Sequence, residues 1–342
     1  MQRTVTFGEI MLRLSPPGFE RFFQSPVLHA TFGGGEANVA VSLARFGLES
    51  CYVTRLPQNA IGDAAIRALR AEGVCTEHVI RGGDRVGIYF AETGASQRAS
   101  NVVYDRAHSA IAEMEPGRLD WGAVLEGASW FHTTGITPAL GSSAAACTRE
   151  ALQAAVAAGV RVSIDLNYRR KLWSEQQAQA TMRPLMPMVD LVIANEEDIQ
   201  SVLGLSVPHT DVRSAALHVE GYHEVARQIH CEFGVKMVAV TLRESMSASD
   251  NGWSGLLYDG TTGQLHGSQR YDVRLVDRIG GGDSFAAGLI YALVTGRAPE
   301  AALRFAVAAS ALKQTIPGDF NRVSVAEVDR LAQGDASGRV QR

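Results

Sequence analysis

The chain has 342 residues, 46% of them hydrophobic and 20% charged, with a formal net charge of −4. Such a composition supports a folded chain with a large apolar core, and it lacks the basic stripe that grips nucleic acid. No apolar run approaches the roughly 20 residues of a membrane helix, so neither nucleic acid nor a membrane is an expected partner.

In chain order, Met1-Gln2-Arg3-Thr4-Val5-Thr6-Phe7 is a strand-like run backed by Gly8, without a signal-peptide pattern. Residues 11–32, with Pro16-Pro17-Gly18 and Pro26, show little helical period, whereas residues 36–46 read as a helix. Residues 86–104 read as two strands around a Gly/Ser turn. These β-rich pieces, over about residues 11–35 and 85–108, predict a small sheet beside the main domain. It is either a lid over a cleft or a plain sheet extension.

Beyond them, helix-like and strand-like segments alternate. Residues 144–158 are Ala-rich and helical, while 160–166, 190–194 and 235–242 are short apolar runs that read as buried strands. Gly159 and Gly234 stand where helix stops belong. The alternation predicts βαβ units and a parallel sheet, hence an α/β fold. Residues 1–334 read as one domain, 209–222 as an inserted polar loop and 335–342 as a flexible tail.

Cys51, Cys75, Cys147 and Cys231 form no CxxC pair, which fits buried thiols in a reducing cytoplasm. Lysine occurs only at Lys171, Lys236 and Lys313, so chemistry that needs a lysine has three candidates. No lysine follows a glycine, which excludes a Walker P-loop, and the protein-kinase motifs, HExxH, GxSxG and a full GxGxxG are missing.

One segment carries chemistry. Asp277-Arg278-Ile279-Gly280-Gly281-Gly282-Asp283-Ser284 follows a strand-like run and opens a helix reaching about Val294. Three glycines there let the main chain turn sharply and point its N–H groups outward, and the helix start adds the positive end of its dipole. An acid does not bind phosphate, so Asp283 at the mouth of an anion hole needs a reason. Helix capping is one. The glycines favour another: a carboxylate that deprotonates an attacking hydroxyl while the N–H groups stabilise a moving phosphoryl group.

This segment resembles the DTxGAGD motif of the ribokinase-like (PfkB) carbohydrate kinases, and Gly33-Gly34-Gly35-Glu36-Ala37-Asn38-Val39-Ala40 resembles their N-terminal glycine-rich motif. The resemblance implies a three-layer α/β/α sandwich with a mostly parallel sheet and a small β-sheet lid. It implies ATP and Mg²⁺, Asp283 as base, Gly280, Gly281 and Gly282 as anion hole, and a homo-oligomer. Some members hold a monovalent cation partly through the residue matching Asp277; Arg278-Ile279, where many carry Thr, departs from that pattern.

Within the family the chain is most similar to the 2-keto-3-deoxygluconate kinases. The similarity rests on Glu36, on Asp165-Leu166-Asn167-Tyr168-Arg169 with Leu172-Trp173, and on Val103-Tyr104-Asp105-Arg106. It implies a sugar acid whose carboxylate Arg106 and Arg169 hold, with hydroxyls from Tyr89 and Tyr104 and close main-chain approach at Gly34. Asp319 matches a substrate-proximal acid, or is a turn residue. On the nucleotide side stand Asn167, Asn195, Thr241, Arg243, Glu244 and Ser245. Asn195-Glu196-Glu197-Asp198 departs from the family's NxxE, so Glu197 or Asp198 would organise the metal through water, or Asn195 is only a helix cap. Competing readings are a kinase for fructose, ribose or a nucleoside, a ligand sensor on a dead kinase fold, and a nicotinamide dehydrogenase.

Overall fold

A computed structural model describes residues 2–206 and 219–335. Among them the strands are, in order, β1 (Arg3–Phe7), β2 (Met11–Ser15), β3 (His29–Gly33), β4 (Glu49–Val53), β5 (Arg55–Leu56), β6 (Ile80–Arg81), β7 (Gly87–Glu92) and β8 (Asn101–Asp105). There follow β9 (Ala128–Thr134), β10 (Arg161–Asp165), β11 (Leu191–Ala194), β12 (Met237–Ser245), β13 (Asp250–Asp259), β14 (Gln264–Gly267) and β15 (Tyr271–Arg274).

The main sheet has the order β14-β13-β12-β11-β10-β9-β1-β4, with β15 also paired to β13. From β12 to β4 every pairing is parallel; β13, β14 and β15 add an antiparallel edge. The period-2 geometry of a strand sends successive side chains to opposite faces. In β11, Val192 and Ala194 enter one core while Leu191 and Ile193 enter the other. Both faces are covered, which is why these strands read as unbroken apolar runs. One face packs against helices Ser142–Ala157 and Val219–Phe233, the other against Gly35–Arg45, Gly281–Val294 and Pro299–Lys313. This is the expected three-layer α/β/α sandwich.

A separate four-stranded sheet, β3-β2-β7-β8, is built from residues 11–33 and 87–105. The expected loop at 209–222 is corrected in part: residues 219–222 already belong to helix Val219–Phe233, which buries Tyr222, and 209–218 lie outside the described residues. Of the expected tail, Asp335 donates its N–H to the Arg330 carbonyl and 336–342 lie outside the described residues. No described helix is long and apolar enough to cross a membrane.

Candidate active site

Ligands of open α/β sheets bind outside the carboxyl ends of the strands. Here the ends of β9 to β12, the glycine loop and the small sheet enclose a cleft of about 1850 Å³. Asp283 borders it as the third residue of helix Gly281–Val294. The helix cap is Gly280, with φ of 83°, and no side chain caps the turn, so capping is not the job of Asp283. Its Oδ2 instead accepts a 2.7 Å hydrogen bond from the Asn38 side chain. Burial pushes the Asp283 pKa up to about 7, with Asp319 and Glu36 adding to the rise and Asn38 opposing it. A carboxyl poised there can both accept and return a proton near neutral pH.

The expected anion hole would be narrower than the three glycines suggest. The Gly281 N–H is taken by the Arg278 carbonyl at 3.2 Å, whereas the N–H groups of Gly282 and Asp283 have no acceptor among the described residues. Gly34 caps helix Gly35–Arg45, and a Cβ there would meet the Glu9 carbonyl oxygen at 2.0 Å. Glu36, just inside that helix, is buried and accepts hydrogen bonds from the Thr134 N–H and hydroxyl and the Thr137 hydroxyl. It therefore ties the helix carrying Asn38 to the end of β9 and does not face the cleft.

Two more acids line the cleft near Asp283. Burial, then the charges of Asp198 and Asp283, hold Asp165 well above the usual carboxylate range. Asp198 is pushed up to about 6 by burial and accepts the Tyr168 N–H at 3.0 Å. Glu197 is exposed. Asn195 does cap its short helix, accepting the Asp198 N–H at 2.8 Å, and it lines the cleft as well. Hard oxygen donors that repel one another fit a divalent cation. Among the described residues, the one group tight enough to chelate an ion directly is Cys51, Cys75 and Glu77, none of which borders the cleft.

Asn167, Thr241, Arg243, Glu244 and Ser245 all border the cleft beyond these acids. Glu244 is already engaged by Arg270 at 3.0 Å. Arg278 faces this end too; burial, then repulsion from Arg243, lowers its pKa, and its buried Nε has no partner among the described residues. Two unneutralised guanidiniums on one lip suit a polyanion.

At the other end, the expected pair of free arginines is corrected. Arg169 is exposed at the cleft, donating to the Tyr168 carbonyl. Arg106 is buried and ion-paired to Glu9, which also accepts from Ser109. Its guanidinium lies 5.4 Å from the centre of the Tyr104 ring, so it backs that wall. Tyr89 likewise does not offer a free hydroxyl: it donates to Asp319 at 2.5 Å. Tyr104 is exposed. Asp319 is more than a turn residue. It accepts from Arg13 Nη1 at 2.7 Å, while Arg13 Nη2 reaches Asp277 Oδ2 at 2.6 Å, all three side chains being buried.

The model of the pfkB family of carbohydrate kinases matches residues 1–322. The chain belongs to that family. It is 36% identical over 336 residues to the 2-dehydro-3-deoxygalactonokinase of Haloferax volcanii, with 98% of each covered. The crystal structure of a 2-dehydro-3-deoxygluconokinase from Thermotoga maritima superposes with a TM-score of 0.93 at 50% identity, over 98% of this chain and 100% of that one. A fructokinase with bound ATP from Xylella fastidiosa shares the fold, with a TM-score of 0.76 at 21% identity and 97% and 98% coverage.

In this pfkB kinase, Asn38, Asp165 and Arg13 join the site without having been singled out by sequence. Asn38 and Asp165 sit inside motifs that were recognised, so their position was the available signal. The glycines of the kinase loop separate on substitution. A Cβ on Gly280 would meet the Asp319 carbonyl oxygen at 2.2 Å, and its left-handed φ alone costs alanine about 1–2 kcal/mol. A Cβ on Gly282 would meet nothing within 4 Å. Gly280→Ala is therefore expected to lower the melting temperature, whereas Gly282→Ala keeps it and lowers kcat by crowding the incoming phosphoryl group. Differential scanning calorimetry beside initial rates checks both.

Proposed function

We propose that this kinase transfers the γ-phosphoryl group of ATP to the terminal primary hydroxyl of 2-keto-3-deoxygluconate, giving 2-keto-3-deoxy-6-phosphogluconate. The observation that carries the reading is Asp283, held by Asn38 beside two unpaired main-chain N–H groups and open to a cleft bordered by Arg169. Asp283 accepts the hydroxyl proton as the oxygen forms its bond to phosphorus and the bond to the β-phosphate oxygen breaks. The N–H groups of Gly282 and Asp283 stabilise the charge on the moving group. Arg169 holds the substrate carboxylate. Asp319, kept in place by Arg13 and Tyr89, and the walls at Gly34, Tyr104 and Arg106 shape the sugar end. Asn167, Asn195, Thr241, Arg243, Ser245 and Arg278 flank the nucleotide. Mg²⁺, held through water at Asp165, Glu197 and Asp198, would supply charge neutralisation between the phosphates.

The small sheet acts as the lid. Exposed Phe19 and Phe23, in the connection between β2 and β3, and Val103 with Tyr104 on β8 offer apolar surface for a second copy, in keeping with a homo-oligomer. The cytoplasm is where ATP and the sugar acid meet.

The test is ADP release over a panel of gluco and galacto keto-deoxy acids and neutral sugars. Turnover is expected on the acids. Arg169→Met should raise KM for them about 10- to 100-fold, the worth of a charged hydrogen bond. Turnover confined to neutral sugars would overturn the substrate.

A further inference from the structure

Of the three lysines, Lys171 and Lys236 are exposed, while Lys313, the last residue of helix Pro299–Lys313, has no exposed surface. Its ammonium donates to the main-chain carbonyls of Asp277, at 3.2 Å, and Ile279. Those residues lead directly into the glycine loop. The lysine lies against the loop itself: a Cβ on Gly280 would sit 3.3 Å from Lys313 Cε. Burial lowers its pKa, Arg13 adding to the fall and Asp277, Asp319 and Asp283 opposing it. No carboxylate contacts the ammonium among the described residues; its partners are the two carbonyls.

Burying an amine is costly, and a methionine would fill the same space. Two main-chain carbonyls turned towards one positive charge is the way proteins replace the hydration shell of a monovalent cation. The Asp277 carboxylate, the other group such an ion would use, already holds three donors. It accepts from the Ile279 N–H at 3.1 Å, from Arg13 at 2.6 Å and from the Gly318 N–H at 3.1 Å. The monovalent cation implied by the family resemblance therefore does not fit this chain.

We propose that the Lys313 ammonium is the resident cation of the glycine loop, a positioning residue that fixes the carbonyls of Asp277 and Ile279 and so aims the N–H groups of Gly282 and Asp283. The proposal rests on that loop being the site of phosphoryl transfer. Its consequence is turnover that needs no potassium or other added monovalent ion.

The experiment compares full-length wild type, Lys313→Ala and Lys313→Met in tetramethylammonium, potassium and ammonium chloride. Both kcat and the melting temperature are read. Wild type is expected to show the same kcat and melting temperature in all three salts. Lys313→Ala should lose about 100-fold in kcat with KM for the sugar little changed, the cost of misaimed donors. Potassium or ammonium should restore much of that loss and raise its melting temperature, as a bound ion does. Lys313→Met, whose side chain fills the space without charge, should lose kcat and not recover. Wild type strongly activated by potassium would overturn the proposal, as would full kcat in Lys313→Met or a folded Lys313→Ala that no cation restores. The wild-type comparison decides even if Lys313→Ala does not fold. A wild type inactive on every sugar tested would instead remove the functional reading beneath it.

Discussion

Asp283→Asn is expected to lower kcat about 1000-fold, the middle of the range for a positioned general base, with KM for both substrates near wild type. The Asn38 amide still meets an oxygen in the variant, so geometry survives while the proton acceptor is lost. In wild type, kcat/KM should fall as pH drops through about 7, where Asp283 takes up its proton. Asn38→Ala removes the hydrogen bond that holds this pKa down, so its acid limb should move to higher pH. The same group weakens the fold. Because burial raises its pKa above the ordinary aspartate value of 3.8, the folded chain binds more protons than the unfolded one between there and about 7. Stability from this group is thus lost as pH rises through that window. Asp283→Asn should melt higher than wild type at pH 8, and the difference should vanish near pH 4, where both side chains are neutral. Calorimetry at the two pH values checks the melting difference; full turnover by the variant would remove Asp283 as base.

Arg13→Ala is expected to cost about 3–5 kcal/mol, because it strands two buried carboxylates, Asp277 and Asp319. The side-chain exposures decide the size: 5% for Arg13, 8% for Asp277 and 2% for Asp319. The pair Arg85–Asp105, with 34% and 56% exposure, is the control, and Arg85→Ala should cost less than about 1 kcal/mol. Urea denaturation of both variants measures the contrast. Equal, small effects would show that the Arg13 pairing is not the anchor described.

The glycine loop, the parallel sheet and the small sheet were legible because each is local: turn residues, a period of two, and helix stops lie side by side in the chain. Pairing is not local. Arg106 reads in sequence as a free guanidinium because its partner, Glu9, stands 97 residues away, just after β1. Tyr89 reads as an available hydroxyl because Asp319 is 230 residues off. Arg13 gave no signal at all, being one arginine in a strand that only folding brings against Asp277. Lys313 did give one: in a chain with three lysines, each carries an unusual prior of being needed where it stands. Asp283 borders the cleft, a placement set by the three glycines before it.

The bond between Arg13 and Asp319 spans 306 positions of a 342-residue chain. During synthesis Arg13 must therefore wait for Asp277, and then for Asp319, before both of its buried ion pairs can form. Contacts of such separation are slow to form, and a nascent chain is exposed to misassembly until they do. A chain that stops between residues 283 and 319 would carry Asp283 but lack Asp319, leaving Arg13 with Asp277 alone.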